Sequence, residues 1–166
     1  MLRQFKNPRM FAAAAALVLL VAAPALAGPP WIAIEVPPNP FDSASRDAFV
    51  IVRTYHHGDP TQLAVTAMAE GLVRGERRSV KLNVDNTSRP GVFAIKKQWS
   101  NEGVWTLLIT SRDGQGIATA MVDIGTNGEV AAVRVPTRQE GRYKIPRAVA
   151  ASEVDATLRM LAQRGG

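Results

Sequence analysis

The chain has 166 residues, 20 Lys and Arg against 14 Asp and Glu, and no cysteine. Without cysteine it can carry no disulfide, no thiol nucleophile and no Cys-ligated zinc or iron–sulfur cluster. The formal charge of +6 suggests a polyanion partner only until the N-terminus is read.

Arg3, Lys6 and Arg9 form a basic leader, and Met10 to Ala23 is an almost unbroken apolar run. Pro24 breaks the run, and Ala25-Leu26-Ala27 supplies a small-x-small cleavage site. This is the pattern of a secretory signal peptide, 1–27. The run is shorter than the roughly 20 residues that span a bilayer. Cleavage after Ala27 starts the chain at Gly28 and places it in the periplasm or outside the cell. It leaves 139 residues, with 17 basic against 14 acidic, or +3. That mild excess does not call for nucleic acid. A chain of this size forms one domain and buries about two thirds of its unfolded surface.

The remainder reads as all-β. Short β-branched and aromatic runs alternate with Gly, Pro, Asn, Asp and Ser clusters. Trp31 to Val36 is the first strand, stopped by Pro37, Pro38 and Pro40. Ala48 to Tyr55 is apolar on both alternating sets, as expected of a strand covered on both faces. His56-His57-Gly58-Asp59-Pro60 turns the chain. Leu63 to Ala69 follows, with alanines that would also tolerate a helix. Val80, Leu82 and Val84 alternate with polar residues. Gly91 to Trp99, Val104 to Thr110, Ile117 to Ile124 and Glu129 to Val135 complete eight strands. Ser100 to Gly103 has hairpin length, and Asn127-Gly128 is a strong hairpin signal. The expectation is an immunoglobulin-like antiparallel β-sandwich of 7–8 strands over 28–135.

A basic extension, 136–166, follows. Arg138, Arg142, Lys144 and Arg147 offer contacts to an anionic surface. Ser152 to Gln163 reads as a short helix, capped by Ser152, with Val154, Leu158 and Leu161 as one apolar stripe.

The only imidazoles are His56 and His57. Imidazole suits copper and zinc, so these two are the candidate metal ligands. On an extended backbone they point apart, and a turn would bring them together. An amino-terminal copper site is excluded, because Pro29 and Pro30 have no amide hydrogen to lose. Met68, Met121 and Met160 are far apart and read as core filler. Neither a Gly-x-Ser-x-Gly elbow nor a Ser-x-x-Lys motif is present. Arg74, Arg77, Arg78 and Lys81 form a second basic cluster, which reads as solvated, aggregation-blocking surface.

Pro90-Gly91-Val92-Phe93-Ala94, then Gly103-Val104-Trp105-Thr106-Leu107, resembles the YtkA-like and FixH-like bacterial envelope domains. The resemblance covers Phe49 to Ile109. It implies an immunoglobulin-like sandwich, with Gly91 and Gly103 starting adjacent strands and Phe93 and Trp105 in the core. Some relatives are linked to copper handling or oxidase assembly and carry Met-rich or His-rich stretches. This chain offers only His56, His57 and Met68 there. The expected function is a non-catalytic exported module, not an enzyme, that binds a protein partner or supports an assembly. The alternative is copper or other metal handling through His56 and His57.

Overall fold

Alternating apolar residues build two antiparallel sheets that face one another. The computed structural model describes residues 29–114 and 116–165, and the expected leader, 1–27, lies outside the described residues. The first sheet holds β1 (Trp31–Glu35), β2 (Val50–His56), β7 (Val92–Ile95) and β6 (Asp85–Asn86) in that order, with the short β3 (Asp59–Pro60) also paired to β2. The second holds β10 (Val130–Arg134), β9 (Gly116–Ile124), β8 (Val104–Asp113), β4 (Ala64–Val73) and β5 (Glu76–Leu82). The fold is therefore an all-β sandwich. All eight expected strands form, with β3 and β6 added as two-residue bridges. The first, second and fifth long strands share one sheet, and the third, fourth, sixth, seventh and eighth share the other. Strands one, two and five against three, six and seven follow the immunoglobulin order, with the fourth and eighth at the two edges of the second sheet.

Inward side chains follow the period of two. Ile32, Val50, Val52, Phe93 and Ile95 of the first sheet meet Trp105, Leu107, Ile109, Val122 and Ile124 of the second. Trp105 lies over Gly71, where a Cβ would sit 2.5 Å from its Cε3. Its Nε1–H donates to the Glu102 carbonyl at 2.9 Å. Gly103, at φ +82°, makes this possible, since a Cβ there would meet the Leu72 carbonyl oxygen at 2.4 Å. Trp99 closes one end of the core, edge-on to Phe49 with centroids 5.0 Å apart.

Several local expectations change. The strand after Gly91 stops at Ile95, well short of Trp99. Residues 96–103 then carry the chain from one sheet to the other, so Ser100 to Gly103 is not a hairpin turn. β7 and β8 are consecutive but unpaired, so Gly91 and Gly103 do not start adjacent strands. Phe93 and Trp105 do enter the core.

The extension is more ordered than its polarity suggests. β11 (Thr137–Glu140) and β12 (Tyr143–Pro146) form a hairpin, and α1 spans Ala151–Arg164. Ser152 lies inside the helix, and Ala150 holds the N-cap position. Capping falls instead to Glu153, whose carboxylate accepts the Ala150 N–H at 3.1 Å. Arg147 donates to both Glu153 oxygens, at 2.6 and 2.9 Å. Those bonds, Arg147 first and the Ala150 N–H second, lower the Glu153 pKa to about 2. Val154, Leu158 and Leu161 press onto Val104, Leu72 and Leu108 on the outer face of the second sheet. Met121 is buried and Met68 half-buried, whereas Met160 is exposed on α1 and is not core. No helix among the described residues is long and apolar enough to cross a membrane.

Candidate functional site

Each sheet has an outer face that must be covered or used. On the second sheet α1 covers the apolar rows, and a polar network fills the gap beside them. Asp123 lies on β9 with 1% of its surface exposed. It accepts from the Thr106 hydroxyl at 3.1 Å and from Arg134 at 2.6 Å. Arg134 also donates to Thr157 of α1 at 3.1 Å. A buried carboxylate with two strong donors is satisfied, and here it ties the edge strand and the helix to the sheet.

The first sheet is covered over only half of its outer face. The connection between β1 and β2, 36–49, folds over Ile51, Val92 and Ala94, with Ala48 packed against them. Asp42 in that connection pairs with Arg89, and Ser45 anchors it by donating to the Asn39 and Asp42 carbonyls at 2.7 and 2.9 Å.

The other half carries aromatic and cationic side chains. Register sets Trp31 opposite Tyr55, and Tyr55 opposite Pro60, in one row. Ala33 and Arg53 form the next row, which ends at the buried Val92 on the border of the covered half. An open depression of about 570 Å³ lies among Pro29, Trp31, Ala33, Tyr55, His57 and Gly58. Trp31 is 43% exposed there. Beyond Tyr55, a second depression of about 260 Å³ runs between Arg53, Pro60, Arg89 and Pro90. Arg53 donates to Glu35 at 2.7 Å. That bond holds the Glu35 carboxyl below its ordinary range and raises the Arg53 guanidinium. Both arginines are thus held by carboxylates, Arg53 by Glu35 and Arg89 by Asp42.

His56 and His57 sit at the end of this face. His57 adopts φ +54° and Gly58 φ +90°, which reverses the chain after β2. The reversal brings the two rings together, with centroids 4.3 Å apart and planes inclined by 45°. His56 Nε2 also lies 3.4 Å from Asp113 Oδ2. Among the described residues no group of three or more His, Cys, Asp or Glu side chains is placed to hold a metal ion.

The basic clusters are largely engaged internally. Arg74 pairs with Glu102, Arg77 with Glu70 and Asp155, and Arg78 with Glu76. In the extension Arg138 pairs with Glu140 and Arg147 with Glu153. Arg142 lies over the Tyr143 ring at 5.0 Å, and Lys144 is exposed. Sequence reasoning passed over Trp31, Tyr55 and Arg53. Their signal was available: once Ile32, Val50 and Val52 are placed inward, strand alternation puts all three on the outside. Comparison with family models, curated proteins and solved structures found no match for this chain.

Proposed function

We propose that this protein is an exported, non-catalytic envelope module that binds a protein partner through the open half of its first sheet. One observation carries the reading. The 36–49 connection and α1 each cover apolar rows on an outer face, while Trp31, Tyr55 and Arg53 are left accessible on a rigid strand pair. Half-exposed tryptophan, tyrosine and arginine on a preformed surface are the side chains that dominate protein interfaces. Strands hold them without the ordering cost of a loop.

The test is site-specific photocrosslinking in the native envelope. A photoreactive residue at position 31 should give discrete adducts that excess wild-type protein competes away. The same residue at Lys81, on the opposite sheet, should give none. Equal labelling from both positions would sink the proposal.

The approach of the two imidazoles favours a second reading, metal handling through His56 and His57. Titration calorimetry with copper and with zinc decides it. The reading requires binding tighter than micromolar that both His56→Ala and His57→Ala abolish.

A further inference from the structure

Phe41 is 96% exposed, the most exposed large apolar side chain among the described residues. It does not sit on a loose loop. Asn39 Oδ1 accepts its N–H at 3.0 Å, and the Asp42 N–H reaches the Asn39 carbonyl at 3.2 Å. Asn39 N–H in turn donates to Glu35 at 3.2 Å, and Ser43–Ser45 forms a turn of 3-10 helix. An ordered backbone therefore presents a benzyl group to solvent, which is a preorganised anchor.

The same connection borders an unfilled groove. Its two ends supply Val36, Pro37 and Phe49, and the β9–β10 turn and β10 supply Glu129, Val130 and Val133, around about 620 Å³. The groove lies between the segment that follows β1, an edge strand of one sheet, and β10, an edge strand of the other. Val133 stands opposite Val122, whose side chain is in the core, yet Val133 is 43% exposed. Val36, Phe49 and Val130 also pack against the core. The groove is thus an open edge of the sandwich interior. Phe41 cannot fold back to fill it, because Asp42–Arg89 and Ser45 hold the loop over the first sheet.

The geometry points to a symmetric dimer of this chain, in which Phe41 of each copy enters the groove of the other. A two-fold interface needs one patch that is complementary to itself. Here the apolar knob and the apolar groove belong to one 36–49 segment and its immediate neighbours. Charge agrees with the pairing. The loop carries Arg46 and Asp47, both exposed. The groove is rimmed by Glu129 and, beside Gly128, by Lys97. Each face offers one charge of each sign for the other to meet, so docking strands no net charge. A buried aromatic in an apolar pocket is the usual energetic centre of such contacts.

Sedimentation of the mature chain from Gly28 tests this over a concentration series up to about 1 mM, where even a weak pair is visible. The expected result is a monomer–dimer equilibrium. Phe41→Ser and Val133→Glu should each raise the dissociation constant by about tenfold or more. Both positions are exposed, and unchanged far-UV dichroism verifies that both variants fold. Reciprocity adds a sharper signature. Each variant alone loses both knob-in-groove contacts, whereas an equimolar mixture of the two restores one. The mixture should therefore associate more than either variant by itself. A wild type that stays monomeric throughout overturns the dimer. So does association that Phe41→Ser leaves unchanged, or a mixture no stronger than its components. None of these outcomes depends on the partner face at Trp31.

Discussion

Gly71 and Trp105 work as one unit: the missing side chain on β4 is the bed for the indole on β8. Gly71→Ala forces a methyl group into the ring at 2.5 Å from Cε3. Overpacking of this kind costs about 1–3 kcal/mol, which urea unfolding followed by tryptophan emission should register. Asp123 is the second decisive residue. Arg134→Ala leaves a carboxylate that is 1% exposed with only the Thr106 hydroxyl. Removing one member of a buried pair costs about 3–5 kcal/mol. Because the Arg134 side chain is itself 45% exposed, the loss should fall at or below the lower end of that range. It should still exceed the loss from Arg138→Ala, whose exposed pair with Glu140 is worth at most ~1 kcal/mol. Adding Asp123→Asn to Arg134→Ala should recover part of the stability, as a double-mutant cycle would read. Phe93 and Trp105, which both enter the core, were legible as core residues through the Gly-x-aromatic and Gly-x-Trp motifs that carry the family resemblance. Asp123 was not. An acid between Val122 and Ile124 reads as a solvent-facing position, and only the helix above it makes it buried.

Among the elements, the eight strands were legible because β-branched runs and Gly/Asn/Asp turns mark them twice over. The β11–β12 hairpin was missed for a physical reason. Five of its eight side chains are exposed and only Pro146 is buried, so its sequence carries no clear apolar alternation. The helix was legible from its Val154, Leu158 and Leu161 stripe, but its start was not. Ser152 suits a cap by type, yet the N-cap falls at Ala150, where Glu153 and Arg147 act in its place. This arrangement makes the helix start sensitive to acid. The Glu153 pKa is about 2 when folded, against an ordinary 4.5. A lowered folded value means the contribution is complete above the unfolded value and is lost as pH falls through the folded one. The protection factors of the Ala150 and Glu153 amides, which are free of the intrinsic pH dependence of exchange, should therefore fall between pH 4.5 and 2, and Glu153→Gln should flatten that dependence. Leu158→Ala, at the centre of the helix contact, should cost about 2–5 kcal/mol in thermal or chemical unfolding.

For the molecule as a whole, the sequence divides at Pro136 by polarity, and the structure closes that division. α1 lies on β8 and β4, and Arg134 and Thr157 meet across the boundary. A chain ending at Val135 would expose Leu72, Val104 and Leu108 together with Asp123. It should bind a hydrophobic dye that the full chain excludes, unfold at lower temperature and aggregate at its second sheet. A truncated chain that stays soluble, dye-free and equally stable would show the extension to be dispensable. The two-sheet plan could be anticipated because it follows from period-two patterning. The cover on each outer face could not, since it depends on which loop or helix returns to which side. The open face at Trp31 is what remains once both covers are in place, so it became visible only with them.

The placement of the three tryptophans has a practical outcome. Trp105 and Trp99 are enclosed in the sandwich, and Trp31 stands on the open sheet. The unmodified chain should therefore emit as two populations, one blue-shifted and shielded, one red-shifted and reached by iodide. Trp31→Phe should delete the iodide-sensitive part alone. Anything that settles on the first sheet would protect that same fraction while leaving the other two indoles unchanged. The protein thus carries its own optical label at the proposed contact, with two internal standards for the integrity of the fold.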